Sequence, residues 1–262
     1  MLQSTLLLLS TGLLALASPA PRSSKSFAKF LDKRDPPIID GAFSEQEKKQ
    51  ASEGARDALQ LAYYALTPSA ISDEIFAKWF HPDDRDTVNK VFDAILGDDH
   101  EDGKGNALLG KLKIMPDYQD PDDGEFSCDG DTQAETRDAG GENPEIIMCP
   151  KGFKSGGIGK GYDGVDPVRC DKFDDRVSSK MESLGSILIH EYTHYDNLVN
   201  GILSKLGTDD HAYGPYDSQQ LSREDKLDNA DNYSWFANEL HWTIICGKSF
   251  DAPTKADSKR KA

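Results

Sequence analysis

The sequence predicts an α+β domain, mostly helical with a small β-sheet. Three observations carry this. The first third of the chain repeats apolar residues at helical spacing. The middle loses that period and holds short β-branched runs between Gly, Pro and Asp clusters. The last third returns to helical spacing. Helices, a small sheet, then helices again is the order of an α+β layer architecture, and no internal repeat interrupts it.

Each element has a local reason. Ser44 and Glu47 form a capping box, after which Ala51, Ala55, Leu59, Ala62, Tyr63 and Leu66 share one helix face until Pro68. A second helix is expected from Ser72, carrying Ile75, Phe76, Trp79 and Phe80. A third runs from Asp83 to Leu96, with Val88, Val91, Phe92, Ile95 and Leu96 inward and Gly97 as its stop. Leu112 to Met115 and Ile146 to Cys149 read as strands, separated by an acidic loop rich in Asp, Gly and Pro. The Gly-rich stretch from Gly152 to Gly164 reads as a loop near the site; it has no phosphate-loop spacing. A helix from Ser178 to Leu198, a turn from Gly207 to Gly214 and a last helix from Asn229 to Ile245 complete the order. The last helix carries Trp235, Phe236, Leu240 and Trp242.

The ends carry processing signals. Residues 1–17 read as a signal peptide: leucine runs at 6–9 and 13–16 precede the small-x-small site Ala15-Leu16-Ala17. The run is too short to span a bilayer comfortably. Residues 18–34 are basic and Ser-rich and end in Lys33-Arg34, a dibasic site expected to close a short propeptide. The domain is then 35–250, about 215 residues, enough for one core. Residues 251–262 are expected to be a disordered tail. Five basic groups and one acid leave with residues 1–34, so the formal charge falls from −16 to −20. That charge argues against nucleic acid or an anionic membrane as partner and suits a secreted, extracellular protein. Four cysteines in an oxidising compartment suggest two disulfides. Three connectivities are possible; Cys128–Cys149 with Cys170–Cys246 is preferred. No C-x-x-C spacing supports a cysteine zinc site.

The chemistry-bearing stretch is His190-Glu191-Tyr192-Thr193-His194, an H-E-x-x-H. On a helix the two histidines stand one turn apart on one face, within reach of one zinc ion, with Glu191 beside them as a base for water. A catalytic zinc needs a third protein ligand. Asn197 and Asn200 stand where a third-histidine motif needs Gly and His. Glu224, Glu239, Asp209, Asp210, Asp217 and Asp231 remain candidates.

Residues 207–214 read G-T-x-D-x-x-Y-G, from Gly207 and Thr208 through Asp210 to Tyr213 and Gly214. Together with H-E-x-x-H this resembles the aspzincin family, which includes deuterolysin and the fungal peptidyl-Lys metalloendopeptidases. Ile146-Ile147-Met148-Cys149-Pro150 with Phe153, and Asn229-Ala230-Asp231-Asn232-Tyr233, are similar to two further family segments. The resemblance covers roughly residues 146–240. It implies a zincin-like metalloprotease fold with one Zn²⁺ per chain, held by His190, His194 and Asp210. It makes Glu191 the general base and Tyr213 the oxyanion donor, with a packed aromatic as the plain alternative for Tyr213. It implies a secreted endopeptidase, active as a monomer on protein or peptide substrates.

Asp231 has two readings of equal weight. Either it supplies negative charge to a lysine-binding pocket, or it holds a zinc ligand from behind. Ser234, the next position that would reinforce such a pocket, is not acidic, and this departs from the lysine-specific members. The short propeptide and the acidic insert from Asp117 to Gly141 also depart from the family. His211 reads as a surface residue. Asn232-Tyr233-Ser234 is a formal glycosylation sequon inside the motif and is expected to be unused. The alternative from another class is a non-catalytic secreted zinc-binding or interaction protein on the same fold. A serine or cysteine nucleophile has no support, since no G-x-S-x-G occurs.

Overall fold

The computed structural model describes residues 37–67, 69–97, 107–119, 124–158, 161 and 164–257. The expected signal peptide, the propeptide and the stop at Pro68 lie outside the described residues. The elements run β1 (Ile38–Ile39), α1 (Glu45–Ala65), α2 (Ala70–Trp79), α3 (Arg85–Leu96), β2 (Lys113–Met115), β3 (Ala134–Arg137), β4 (Glu145–Met148), α4 (Leu184–His194), α5 (Asp196–Val199), α6 (Pro215–Gln220), α7 (Arg223–Leu227) and α8 (Ala230–Cys246). The α+β class expected from the sequence is the class observed.

The sheet order is β1-β2-β4-β3. The β1–β2 and β2–β4 pairs are parallel; β3 runs antiparallel to β4, with Thr136 opposite Ile146 and Glu135 opposite Ile147. Side chains alternate faces along a strand, so this register puts Ala134 and Thr136 on one face and Glu135 and Arg137 on the other. β3 is an edge strand, with one side free of sheet pairing.

Helix α4 is the centre of the domain. All its residues except His194 are buried. It packs between α1, α8 and β3. The α1 contact is close because the facing residues are small. A Cβ on Gly54 would sit 2.6 Å from Leu184 Cγ, and one on Gly185 would sit 2.8 Å from the Ala58 backbone nitrogen. Larger residues at either position would push the helices apart. On the other side α8 brings Trp235, Phe236 and Leu240 into the core, and an aromatic cluster extends it to α2 and α3: Phe80–Tyr233 at 5.0 Å and Phe76–Phe236 at 5.4 Å.

Several boundaries differ from the sequence reading. α2 starts at Ala70 rather than Ser72, because the Ser69 side chain accepts the Ser72 N–H and takes the cap. α4 starts at Leu184 rather than Ser178, because Ser183 and Ser186 form their own capping box. It stops at His194, where Tyr195 turns extended (φ −70°, ψ 101°), so residues 196–199 form a separate short helix. The acidic segment expected to be a loop contains β3. Between the 207–214 turn and α8 lie α6 and α7, neither anticipated. Within the expected tail, residues 251–257 are part of the fold: Asp251 N–H donates to Asp175 O (2.8 Å), Val177 N–H donates to Asp251 O (3.1 Å) and Arg176 pairs with Asp257.

The disulfides are Cys128–Cys149 and Cys170–Cys246, the preferred pairing. The first ties the segment leading into β3 to the residue after β4; the second ties the end of α8 to the segment before α4. No helix among the described residues is long and apolar enough to cross a membrane.

One buried group makes stability depend on pH. His241 on α8 lies between Tyr64 (5.1 Å) and Trp242 (4.8 Å), with neither ring nitrogen hydrogen-bonded among the described residues. Burial lowers its pKa from 6.5 to about 3. Between those pH values the unfolded chain takes up a proton that the folded one refuses. The stability involved is therefore present above pH 6.5 and lost as pH falls towards 3. Urea midpoints at pH 7 and pH 4 should drop less for His241→Phe than for wild type; an equal drop contradicts this role for the ring.

Candidate metal centre

Three electron-rich atoms converge at the C-terminal end of α4. His190 Nε2 lies 3.1 Å from Asp210 Oδ1, His194 Nε2 lies 3.5 Å from the same oxygen, and the two Nε2 atoms are 3.2 Å apart. The second partners of the rings decide what this means. His194 Nδ1 is 2.7 Å from the Thr208 carbonyl, which can only accept, so Nδ1 carries the proton. His190 Nδ1 is 2.7 Å from Asp231 Oδ1, again an acceptor. Both neutral rings therefore aim Nε2 lone pairs at one point, where a carboxylate oxygen also sits. Without a cation these groups repel. Ligand atoms bound tetrahedrally to zinc at their usual bond lengths stand about 3.3 Å apart, so the observed spacings and the N₂O donor set fit that ion.

In the metal-free protein a proton answers the same field. Burial alone would lower the His190 pKa, but hydrogen bonds to Asp210 and Asp231 and their charges overcome it and push the value up to about 10. His194 is raised by Asp210 as well, against its burial. Asp210 is partly buried, which opposes ionisation, yet the two histidines hold its carboxyl far below the usual carboxylate range. Proton and metal compete for one place.

The scaffold fixes each member. The Thr208 N–H donates to Thr193 O (3.0 Å), and the two threonine hydroxyls meet at 2.9 Å, so the 207–214 turn is stitched to α4. Its other side is stitched to the start of α8: Asp209 N–H donates to Asp228 O (2.8 Å), Ala230 N–H to Asp209 O (3.1 Å) and Ala212 N–H to Asn229 Oδ1 (3.0 Å). Lys205 bridges Asp209 (3.2 Å) and Asp228 (2.5 Å). Asp209, His211 and Asp228 form a second group with ligand spacing. Lys205 already pairs with both of its carboxylates, and His211 is engaged with Asp228 at 3.0 Å.

Of the expected site residues, His190, Glu191, His194, Asp210 and Tyr213 all line one cleft of about 710 Å³. Asp231 does not. It is fully buried, and its carboxylate takes the His190 imidazole, the Gly214 N–H (2.5 Å) and the Trp235 indole N–H (3.2 Å). With no exposed surface and no place in the cleft lining, Asp231 stands behind His190, against its reading as a substrate-binding charge. Ser234 is buried too, donating to Ser186 O (2.8 Å). Asn232 is fully buried and donates to Trp79 O (2.9 Å), so no sugar can be attached in the folded protein. The Tyr213 hydroxyl donates to Asp210 Oδ2 (2.8 Å), and its ring stacks on His190 at 6.1 Å. Burial and the Asp210 charge raise its pKa above the ordinary tyrosine value, so it stays a proton donor.

One contact at the site was not anticipated. The Thr136 hydroxyl donates to Glu191 Oε2 (2.8 Å) from β3. The two residues are 55 positions apart, and no local pattern announces the pair.

The two histidines of an H-E-x-x-H helix meet an aspartate from a following turn in a group with the spacing to hold one metal ion, the arrangement of a zincin-like centre. Comparisons with known proteins found the following similarities. Residues 168–238 match the aspzincin family profile described as lysine-specific metallo-endopeptidase. A neutral protease 2 homolog of Uncinocarpus reesii (strain UAMH 1704) is 40% identical over 53 residues, which is 20% of this chain and 13% of that one. The neutral protease 2 homolog MEP5 of Coccidioides posadasii (strain C735) is 39% identical over 56 residues, 21% of this chain and 14% of that one. A solved zinc peptidase from Grifola frondosa overlaps with a TM-score of 0.48 at 16% identity, covering 75% of this chain and 97% of that one. The profile match thus falls on α4, the 207–214 turn and most of α8.

The geometry around Asp231 makes a checkable statement. Asp231→Asn keeps the shape but weakens the acceptor for His190 Nδ1. Zinc affinity, measured by competition with a chelator, should fall by about 10- to 100-fold with the fold intact; unchanged affinity would show that His190 needs no partner behind it.

Proposed function

We propose that this chain is a secreted zinc-dependent endopeptidase, with His190, His194 and Asp210 holding the ion and Glu191 acting as general base. The observation that carries the reading is the meeting of two Nε2 lone pairs and a carboxylate oxygen on the wall of an open cleft, with a second carboxylate, Glu191, on the same wall. Binding a metal for structure alone needs protein ligands and a closed site; an adjacent carboxylate that is not a ligand, on the wall of an open cleft, is what hydrolysis adds.

Zinc bound there would supply Lewis-acid polarisation of the scissile carbonyl and acidify water. The chain's own residues do the rest. Glu191 is ready to accept the water proton and return it to the departing amine nitrogen. Tyr213 offers a hydroxyl to the developing oxyanion, for which it must leave Asp210 Oδ2. Asp231 and the Thr208 carbonyl keep both imidazoles in the tautomer that presents Nε2.

The substrates in this reading are proteins or peptides. Asp196, which also accepts the Gly207 N–H, and Asp209, paired with Lys205, line the cleft beside Asp210. A preference for basic residues, lysine among them, would arise from Asp196 and the carboxylates beside it rather than from Asp231. The reading includes removal of residues 1–17 and 18–34 and a monomeric domain starting near Asp35.

The test is casein hydrolysis with zinc content determined on the same sample. Wild type should cleave and lose activity to a chelator. Glu191→Gln should keep zinc and lose about two to four orders of magnitude in kcat. Zinc-loaded wild type that leaves casein and peptide libraries intact would sink the reading in favour of a non-catalytic zinc-binding protein.

A further inference from the structure

Glu191 does not stand alone in the cleft wall. Thr136, on the edge strand β3, has a single hydroxyl proton placed between two acceptors of Glu191, with the carboxylate oxygen Oε2 the nearer at 2.8 Å and the main-chain carbonyl at 3.1 Å. Among the described residues no other side chain hydrogen-bonds this carboxylate, and Glu191 is buried but for a surface on the cleft. We propose that Thr136 is a positioning residue for Glu191, clamping one carboxylate oxygen to the cleft-lining strand and leaving the other to exchange the proton.

The argument is geometric. A glutamate side chain has three rotatable bonds, and a base must hold its oxygen within hydrogen-bond reach of the proton it takes. A donor fixed to a sheet removes that freedom before substrate arrives. The donor is itself fixed by register: Thr136 pairs with Ile146, and a slip of one residue would present Glu135 or Arg137 to α4 instead. The Cys128–Cys149 bridge ties the approach to β3 to the end of β4, and Cys149 N–H donates to Gln133 O (2.9 Å). The base therefore belongs mechanically to the strand that walls the cleft as much as to its own helix. Thr136 lies outside residues 168–238, the segment that matches the aspzincin family profile.

The proposal rests on the endopeptidase reading for its kinetic consequence, but not for its structural one. Thr136→Val keeps shape and β-propensity and removes the donor; Thr136→Ser keeps the donor. With a peptide substrate and the full-length zinc-loaded protein, Thr136→Val should lose about tenfold or more in kcat with KM, zinc content and Tm close to wild type. Thr136→Ser should return kcat to near the wild-type value. Wild-type kcat in Thr136→Val, or a Ser variant as slow as the Val variant, overturns the proposal. If wild type cleaves nothing, the endopeptidase reading fails by itself, and crystal structures of wild type and Thr136→Val decide this one. Glu191 should be ordered on Thr136 in the first and displaced or spread over several rotamers in the second; an unmoved Glu191 overturns it. Should Thr136→Val fold poorly, Thr136→Ala gives the same comparison with a smaller side chain.

Discussion

The structure turns on one unfavourable arrangement. Two neutral imidazoles and a carboxylate point their lone pairs at a common point with no more than 3.5 Å between any two atoms. Nothing in the local chain favours this. It exists because groups behind the ligands hold them there: Asp231 behind His190, the Thr208 carbonyl behind His194, and Tyr213 on the far oxygen of Asp210. Each of these acceptors or donors fixes an orientation and a tautomer, and together they turn repulsion into a site for a cation or, failing that, for a proton.

The rest of the fold can be understood as support for that point. Gly54 and Gly185 let α4 press against α1, which buries the helix that carries both histidines. α8 supplies Asp231 from a fully buried first turn and anchors the Asp210 turn through a backbone bridge between Asp209 and Asn229. The sheet contributes one decisive group, since β3 walls the cleft and brings Thr136 to Glu191. The Cys128–Cys149 bridge secures the approach to that strand, and Cys170–Cys246 ties the far end of α8 to the segment before α4.

The candidate ligands are legible because their strings are local: two histidines one turn apart need only a helix, and the G-T-x-D turn, picked out by family resemblance, is contiguous. The capping box at Ser44 and the α1 face are legible for the same reason, whereas the disulfide pairing, one of three possible, joins residues 21 and 76 positions apart and is a preference that only the fold decides. What failed depended on distance. Asp231 was assigned equally to a substrate pocket and to the back of a ligand, because only packing reveals that His190, Gly214 and Trp235 fill its surroundings. Strand β3 was hidden in an acidic segment with little apolar alternation, and its identity comes from pairing with β4. The sequence reading starts the α4 helix at Ser178, whereas the Ser183–Ser186 capping box sets its beginning at Leu184. Residues 251–257 look like tail by composition, but main-chain bonds to 175–177 hold them, and composition does not report those.

The most direct test of the converging lone pairs is X-ray absorption at the zinc edge of the purified, zinc-loaded protein. The expected spectrum has two imidazole nitrogens and oxygen donors at about 2.0–2.2 Å and no sulfur. A single imidazole, sulfur ligation, or a protein that takes up no zinc would contradict the site as described.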